Sequence, residues 1–339
     1  MTPLVSIILP VYNVQAHFGA CLDSLAAITY PNTEYILVDD ASTDGCGQMC
    51  DAFAKTHERV TVMHFPSNKG VSYARAQGLE LAQGAFVLFV DADDAVHPEI
   101  VSRLVGAALE QRADIVSCQR LDIWGDKARE NHSSMRGRFA KEDIMLRVKT
   151  DLLHNFSFGA PSMPLYVTGK LFRRDKVASS IQAALGLRYG EDTLATMDYL
   201  IRHADVLFCQ NEPLYYYHHH SEQITASPLP RIWPLFLPYW ERMDALGGHL
   251  YFRQLVPRIW SRIKPSIYDR PENWGGILKG NQFVQMNRVF RNSPVMKKYI
   301  WDNPEFPRNF RRKPHWFLLK HRLFWTDYFL YFLCWLCVR

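Results

Sequence analysis

No lysine or arginine precedes Lys55, and the whole chain carries a formal net charge of only +5. Binding through a phosphate backbone needs concentrated Lys and Arg, so the chain is not read as a nucleic-acid binder. The pattern G-x-x-x-x-G-K-[ST] is missing, which disfavours a P-loop NTPase. Cysteines number seven, an odd count at irregular spacings. That argues against a disulfide framework and for free thiols in a reducing cytoplasm. Cys334 and Cys337 form a C-x-x-C without a second Cys or His pair nearby. It is read as two buried or lipid-facing thiols, not as a zinc or redox pair. The apolar run Leu4–Leu9 is short and lacks a basic flank, so it predicts a first strand and not a leader peptide.

Apolar residues, by contrast, make up 48% of the chain, enough for a sizeable core. Strand-like and helix-like stretches alternate through the first half. Val5–Leu9, Tyr35–Val38, Val60–Phe65 and Phe86–Val90 read as strands. Between them, Phe18, Leu22, Leu25 and Ile28 recur at helical spacing, and Met49 and Phe53 belong to a second helix that Thr43 or Asp44 could cap. Ser67 or Asn68 could cap a third helix through Gln83, with Gly84 at its end, and a fourth spans Glu99–Arg112. Such alternation predicts a parallel α/β sheet with helices on its faces. Later, Glu191 opens a helix, and Leu207–Cys209 and Leu214–Tyr217 are two short strand candidates. From Pro228 onward, Pro, Arg and Trp abound, which predicts helices joined by turns.

Ligands of open α/β sheets sit beyond the C-terminal ends of the strands. Asp39-Asp40 follows the second strand and Asp91/Asp93/Asp94 follows the fourth, so both clusters are expected in one crevice. Two Asp at i and i+2 can aim oxygens at one hard cation, Mg²⁺ or Mn²⁺. Such a cation neutralises a departing diphosphate. A solvated turn explains a lone D-x-D equally well. Thr43 or Asp44 suffices to cap the following helix, which leaves Asp39 and Asp40 without an obvious structural duty. Glu191-Asp192 at a helix start reads either as favourable charge there or as a general base.

The chain resembles the family 2 glycosyltransferases, inverting enzymes with the GT-A fold. The likeness rests on Val5-Ser-Ile-Ile-Leu-Pro-Val-Tyr-Asn13, Tyr35-Ile-Leu-Val-Asp-Asp-Ala-Ser-Thr-Asp44, Asn68-Lys-Gly-Val-Ser-Tyr-Ala-Arg-Ala-Gln-Gly78 and Phe89-Val-Asp-Ala-Asp-Asp94. Gly169-Lys-Leu-Phe-Arg-Arg174 and Gly190-Glu-Asp-Thr193 match looser motifs further on. Ala76 stands where the family's helix motif usually has Asn. The likeness runs from Val5 to about Thr225.

The resemblance implies a GT-A fold: a Rossmann-like, mostly parallel sheet flanked by helices, with a helical C-terminal extension. It implies a catalytic domain over 1–225, its nucleotide-sugar half at 1–112 and its acceptor half at 113–225, with the extension over 226–339. Pro10 and Tyr12 would line the base or ribose pocket, Asp40 would bond the base with Asp39 close by, and Arg75 would approach the diphosphate or sugar. Asp91 and Asp93 would meet ribose, donor sugar and metal, with Asp93 or Asp94 as direct ligand of Mn²⁺ or Mg²⁺. Asp192 would be the catalytic base with Glu191 beside it, and Lys170 would support the acceptor site. In Tyr215-Tyr-Tyr-His-His-His220 the family's Arg is absent, and His218 is the candidate substitute at the diphosphate. Consecutive strand residues point to opposite faces, so the three His do not suit one ion.

The implied reaction moves a sugar from a nucleotide-sugar donor, foremost a UDP-sugar, to a hydroxyl of a glycan or lipid-linked acceptor, as in cell-surface polysaccharide synthesis such as lipopolysaccharide or capsule. A sugar-nucleotide nucleotidyltransferase would need a Gly-rich, cationic loop where Pro10-Val-Tyr-Asn-Val-Gln stands. A processive synthase would carry spanning helices and Q-x-x-R-W. An inactive scaffold would not keep every acid in place. The tail, about 308–339, joins Arg308, Arg311, Arg312, Lys313, Lys320 and Arg322 to the apolar run Tyr328–Val338. That run is short of the roughly 20 residues a spanning helix needs. It predicts an anchor lying in the headgroup region, hence a cytoplasmic protein peripheral at the inner face of the cell membrane.

Overall fold

The computed structural model describes residues 2–131, 133–153, 162–220 and 238–248, with the single positions 250 and 294. By compactness the chain divides into two units, Met1–Ala226 and Ser227–Arg339. In the second, residues 238–248 are helical and Tyr239, Trp240, Met243 and Leu246 are buried. The basic tail and the Cys334/Cys337 pair lie outside the described residues. Among the described residues no helix is long and apolar enough to cross a membrane.

The first unit runs β1 (Val5–Val11), α1 (Gln15–Ala26), β2 (Thr33–Asp39), α2 (Cys46–Thr56), β3 (Val60–His64), α3 (Val71–Leu81), β4 (Phe86–Phe89), β5 (Ala95–Val96) and α4 (Ile100–Gln111). It continues with β6 (Ile115–Trp124), β7 (Lys127–Asn131), β8 (Gly137–Ala140), α5 (Lys141–Thr150), β9 (Lys170–Arg173), α6 (Arg174–Ala183), α7 (Glu191–Arg202) and β10 (Val206–His218). One sheet takes the order β3-β2-β1-β4-β9-β6-β10-β5, with β7 on β6 and β8 on β10. β1 pairs in parallel with β2 and β4, β2 with β3, and β6 with β10. β9 runs antiparallel to both β4 and β6. The expected α/β architecture is present, parallel in its first half and mixed in its second.

The physical logic is that of a sheet covered on both faces. Every residue of β1 is buried. α1 turns Phe18, Leu22 and Leu25 inward as the helical spacing predicted, adds Cys21, and ends at Ala26 before Ile28. Gly78, on α3, permits close packing on the sheet, since a Cβ there would lie 2.5 Å from Ile8 Cγ2.

Several local expectations change. α3 begins after Gly70, whose φ of 91° is a glycine conformation, and neither Ser67 nor Asn68 caps it. Gly84 ends no helix; it lets the chain press on β1, because a Cβ would sit 2.6 Å from the Ser6 backbone N. At α2 the cap position is Gly45, while the Asp44 carboxylate accepts the N–H groups of Cys46 and Gln15, each at 3.0 Å. The two strand candidates near residue 210 are one strand, β10, whose register against β6 shifts on either side of Pro213. Proline donates no ladder hydrogen bond, so it fits at such an irregularity.

Candidate active site

β1, β2 and β4 are adjacent and parallel, so their C-terminal ends share one edge. Pro10 lies buried within β1, while Tyr12 just past its end is 45% exposed. Asp39 ends β2 and Asp40 follows it, and Asp91, Asp93 and Asp94 follow β4. Both acidic clusters therefore occupy the edge that the sequence pattern predicted.

Asp39 and Asp40 do have structural duties. Asp40 is buried, and its two oxygens accept the N–H groups of Lys69 and Gly70, both at 2.7 Å. These are orphan donors ahead of α3, so Asp40 fastens the start of that helix to the end of β2. Asp39 accepts the Ser42 N–H at 3.0 Å and meets His64 Nδ1 at 2.9 Å. Hydrogen bonds to Asp39, then Asp51, raise the His64 pKa. A carboxylate has about four lone-pair directions, so both acids retain capacity for a ligand.

Arg75 is the hub of the site. Its guanidinium is 4% exposed and reaches three carboxylates: Asp91 at 2.7 Å, Asp192 at 2.5 Å and Glu191 at 3.4 Å. α3 supplies the cation, the loop after β4 supplies Asp91, and the first turn of α7 supplies Glu191 and Asp192. Gly190, with φ of 74°, makes the turn that starts α7. Burial opposes the Arg75 charge, but Asp192, Asp91 and Glu191 outweigh it and hold the group above its ordinary value. One cation cannot balance three anions in a poorly solvated place. Burial, with Asp192 and Asp93 adding, pushes Asp91 to about 6 despite Arg75. Burial, then Asp192, pushes Glu191 to about 7.

The remaining acids are tied to the end of β10. Asp94 is 1% exposed. It accepts the Tyr215 hydroxyl at 2.6 Å and the His218 backbone N–H at 3.1 Å. Burial, then Asp91 and Asp93, raises its pKa well above the ordinary carboxylate range. Asp93 meets His220 Nε2 at 2.9 Å, and the His220 ring stacks on His17 with centroids 4.2 Å apart. His219 turns elsewhere, to Asp122 at 3.3 Å. The sequence singled out His218, whereas Tyr215 and His220 carry the side-chain links. No local pattern marked them: Tyr215 and His220 differ in parity, and His220 lies just past the end of β10.

Lys170, at the start of β9, is fully buried, and the Asp192 carboxylate favours its charge. Burial lowers its pKa to about 8. Among the described residues, no group of three or more His, Cys, Asp or Glu is drawn together to hold a metal ion. The chemistry of the acidic loop nevertheless fits a hard divalent cation, with oxygen donors from Asp91 and Asp93 that retain solvent exposure.

The family model described as Glycosyl transferase family 2 matches residues 6–176. The chain belongs to that family. Among curated proteins the chain is similar to the glycosyltransferase GlyG of Streptococcus pneumoniae, 37% identical over 116 residues, which are 34% of this chain and 38% of GlyG. The Bacillus subtilis glycosyltransferase EpsJ is 42% identical over 118 residues, 35% of this chain and 34% of its own length. The matches thus span little more than a third of these relatives. In fold, the chain is similar to S. aureus TarS crystallised with UDP-GlcNAc, with a TM-score of 0.63 and 18% identity over 88% of this chain and 84% of that one. A mannosyltransferase of Pyrobaculum calidifontis, in complex with GDP-Man and Mn²⁺, matches with a TM-score of 0.51 and 16% identity over 88% of this chain and 85% of that one. These likenesses establish the GT-A-type fold.

Proposed function

We propose that this protein transfers a sugar from a nucleotide-sugar donor, foremost a UDP-sugar, to a hydroxyl of a glycan or lipid-linked acceptor, with inversion, in bacterial surface-polysaccharide synthesis. The observation that carries this reading is the Arg75 hub, which ties Asp91, at the donor edge, to Asp192 and Glu191. Support for the donor class comes from the neighbours solved in complex with UDP-GlcNAc and GDP-Man.

In this reading Pro10 and the exposed Tyr12 line the base pocket, with Asp40 and Asp39 presenting carboxylate oxygens to the base or ribose. Arg75 and His218 lie towards the diphosphate, and Asp91 towards ribose and donor sugar. Asp93, with Asp91 or Asp94, would hold a divalent cation, Mn²⁺ or Mg²⁺, which when bound supplies neutralisation of charge on the leaving diphosphate. Asp192 is the base. Arg75 grips its Oδ1 and so fixes the carboxylate's direction, while Oδ2 makes no hydrogen bond among the described residues. That oxygen takes the acceptor hydroxyl's proton as the hydroxyl oxygen bonds to the anomeric carbon. The bond to the diphosphate breaks on the opposite side, and configuration inverts in one displacement. The chain's contribution is positioning and preorganised charge. Glu191 retains a proton up to about pH 7 and limits the repulsion around Asp192. Lys170 supports the acceptor side. The basic, aromatic tail would hold the enzyme at the inner membrane surface.

Calorimetry with UDP-, GDP- and dTDP-sugars, with and without Mn²⁺, tests the reading on the parent protein and on Asp93→Ala. Metal-dependent binding of one donor, lost in the variant, is the expected result. No binding of any nucleotide sugar by folded parent protein would overturn it.

A further inference from the structure

β9 runs antiparallel to β4 and β6, and β10 runs parallel to β6. The C-terminal ends of β4, β6 and β10 and the N-terminal end of β9 therefore share one edge of the sheet. That edge brings Trp124, the end of β10 and Lys170 to the side that holds Asp91. The residues there form a continuous ladder of rings and cations. Trp124, 44% exposed, stacks on His219 with centroids 4.2 Å apart and planes 11° apart. His219 meets Tyr217 edge-on at 4.7 Å. The Arg120 guanidinium lies over the Tyr217 ring at 4.3 Å and over the Tyr166 ring at 4.4 Å. The Lys170 ammonium lies 5.4 Å from the centroid of the same Tyr166 ring.

The hydrogen-bonding capacity of the cations on this ladder is not filled. Asp122 answers Arg120 at 2.7 Å and is shared with His219 at 3.3 Å. Arg120 Nε is buried without a hydrogen-bond partner. Lys170 is 1% exposed and makes no hydrogen bond or ion pair among the described residues. Buried cationic N–H groups left without an acceptor are costly unless a ligand oxygen meets them. The lowered pKa of Lys170, about 8, still leaves it mostly charged at neutral pH. Aromatic faces beside such cations suit a sugar ring that carries an anionic group.

We infer that this ladder is the acceptor subsite and that it takes a glycan bearing an oxyanion, phosphate or carboxylate, which Lys170 and Arg120 meet while a sugar ring lies on Trp124. The word acceptor rests on the reading of Asp192 as the base. Lys170 connects the two places, since it lies against Tyr166 and within electrostatic reach of Asp192.

The test is equilibrium binding to the full chain, without donor, of three probes: a neutral gluco-oligosaccharide, a uronate-containing oligosaccharide and a short polyol-phosphate oligomer. One charged probe is expected to bind at least about tenfold tighter than the neutral one, in a salt-sensitive manner. Which charged probe wins identifies the oxyanion. Arg120→Met should abolish most of that preference, Arg120→Lys should keep part of it, and Trp124→Ala should weaken every probe. Equal affinity for neutral and charged probes, or a preference that survives Arg120→Met, overturns the inference. So does inorganic phosphate binding as tightly as the phosphorylated oligomer, which would reduce the site to an anion hole. Donor binding in the same preparations keeps the two readings apart. Donor binding without a charge preference removes only the anionic acceptor. A charge preference in a protein that binds no nucleotide sugar removes the transferase reading and leaves a glycan-binding face.

Discussion

The Tyr215 hydroxyl lies 2.6 Å from Asp94 Oδ2 and donates to it, while its oxygen accepts the Asp91 N–H at 3.2 Å. One phenol thus holds both ends of the acidic loop. Tyr215→Phe leaves a buried carboxylate short of a donor, a change that costs about 1–3 kcal/mol. Urea unfolding should give that loss, and nucleotide-sugar binding should weaken with it. Unchanged stability would mean that the hydroxyl does not set the loop.

Glu191 carries a raised pKa of about 7, against an ordinary 4.5. Between those values the unfolded chain has released the proton and the folded chain still holds it. Native stability therefore falls as pH rises through that window, by up to about 1.4 kcal/mol per unit. Glu191→Gln removes this group's share. Relative to the parent, the variant should gain about 1–3 kcal/mol on going from pH 4.5 to 7.5, read by denaturant titration at each pH. A parallel pair of stability curves would contradict the assigned shift.

Two glycine substitutions should move stability in opposite directions. Gly106, inside α4, has nothing within 4 Å of an added Cβ. Gly106→Ala should stabilise by about 0.4–1 kcal/mol through the unfolded chain. At Gly84 the same methyl meets backbone at 2.6 Å, so Gly84→Ala should cost about 1–3 kcal/mol. Thermal melts of the two variants decide the matter.

Cys21, Cys46, Cys50, Cys118 and Cys209 are all free and buried. Burial pushes Cys46, Cys50, Cys118 and Cys209 up to about 12. Iodoacetamide should leave these positions unmodified in the native protein near pH 7.5 and label them after denaturation, as read by peptide mapping. Rapid native labelling at any of them would show that the core opens there.

Much of this molecule was legible in its residue order. Four strands of the first half, the acids at their ends and the start of α7 at Glu191 follow from periodicity and turn chemistry alone. What could not be read depends on partners far away in sequence. Asp40 looked free of structural duty because the donors it satisfies are backbone N–H groups at Lys69 and Gly70. The hub around Arg75 joins residues 116 and 117 positions apart, a relation no local pattern encodes. β10 was divided in two because Pro213 is punctuation in a sequence, whereas in the sheet it is accommodated by a shift of register.

The place of β9 in the sheet bears on how the protein is made. Residues up to Gln111 complete β1 to β4, yet the side of β4 away from β1 gains its partner only with Lys170–Arg173. During synthesis the emerging first half carries a buried-type strand with one open edge, the kind of surface that recruits stray strands. The ribosome must deliver β9 before that edge closes, so slow translation or truncation between α4 and β9 should favour aggregation over release of a folded half.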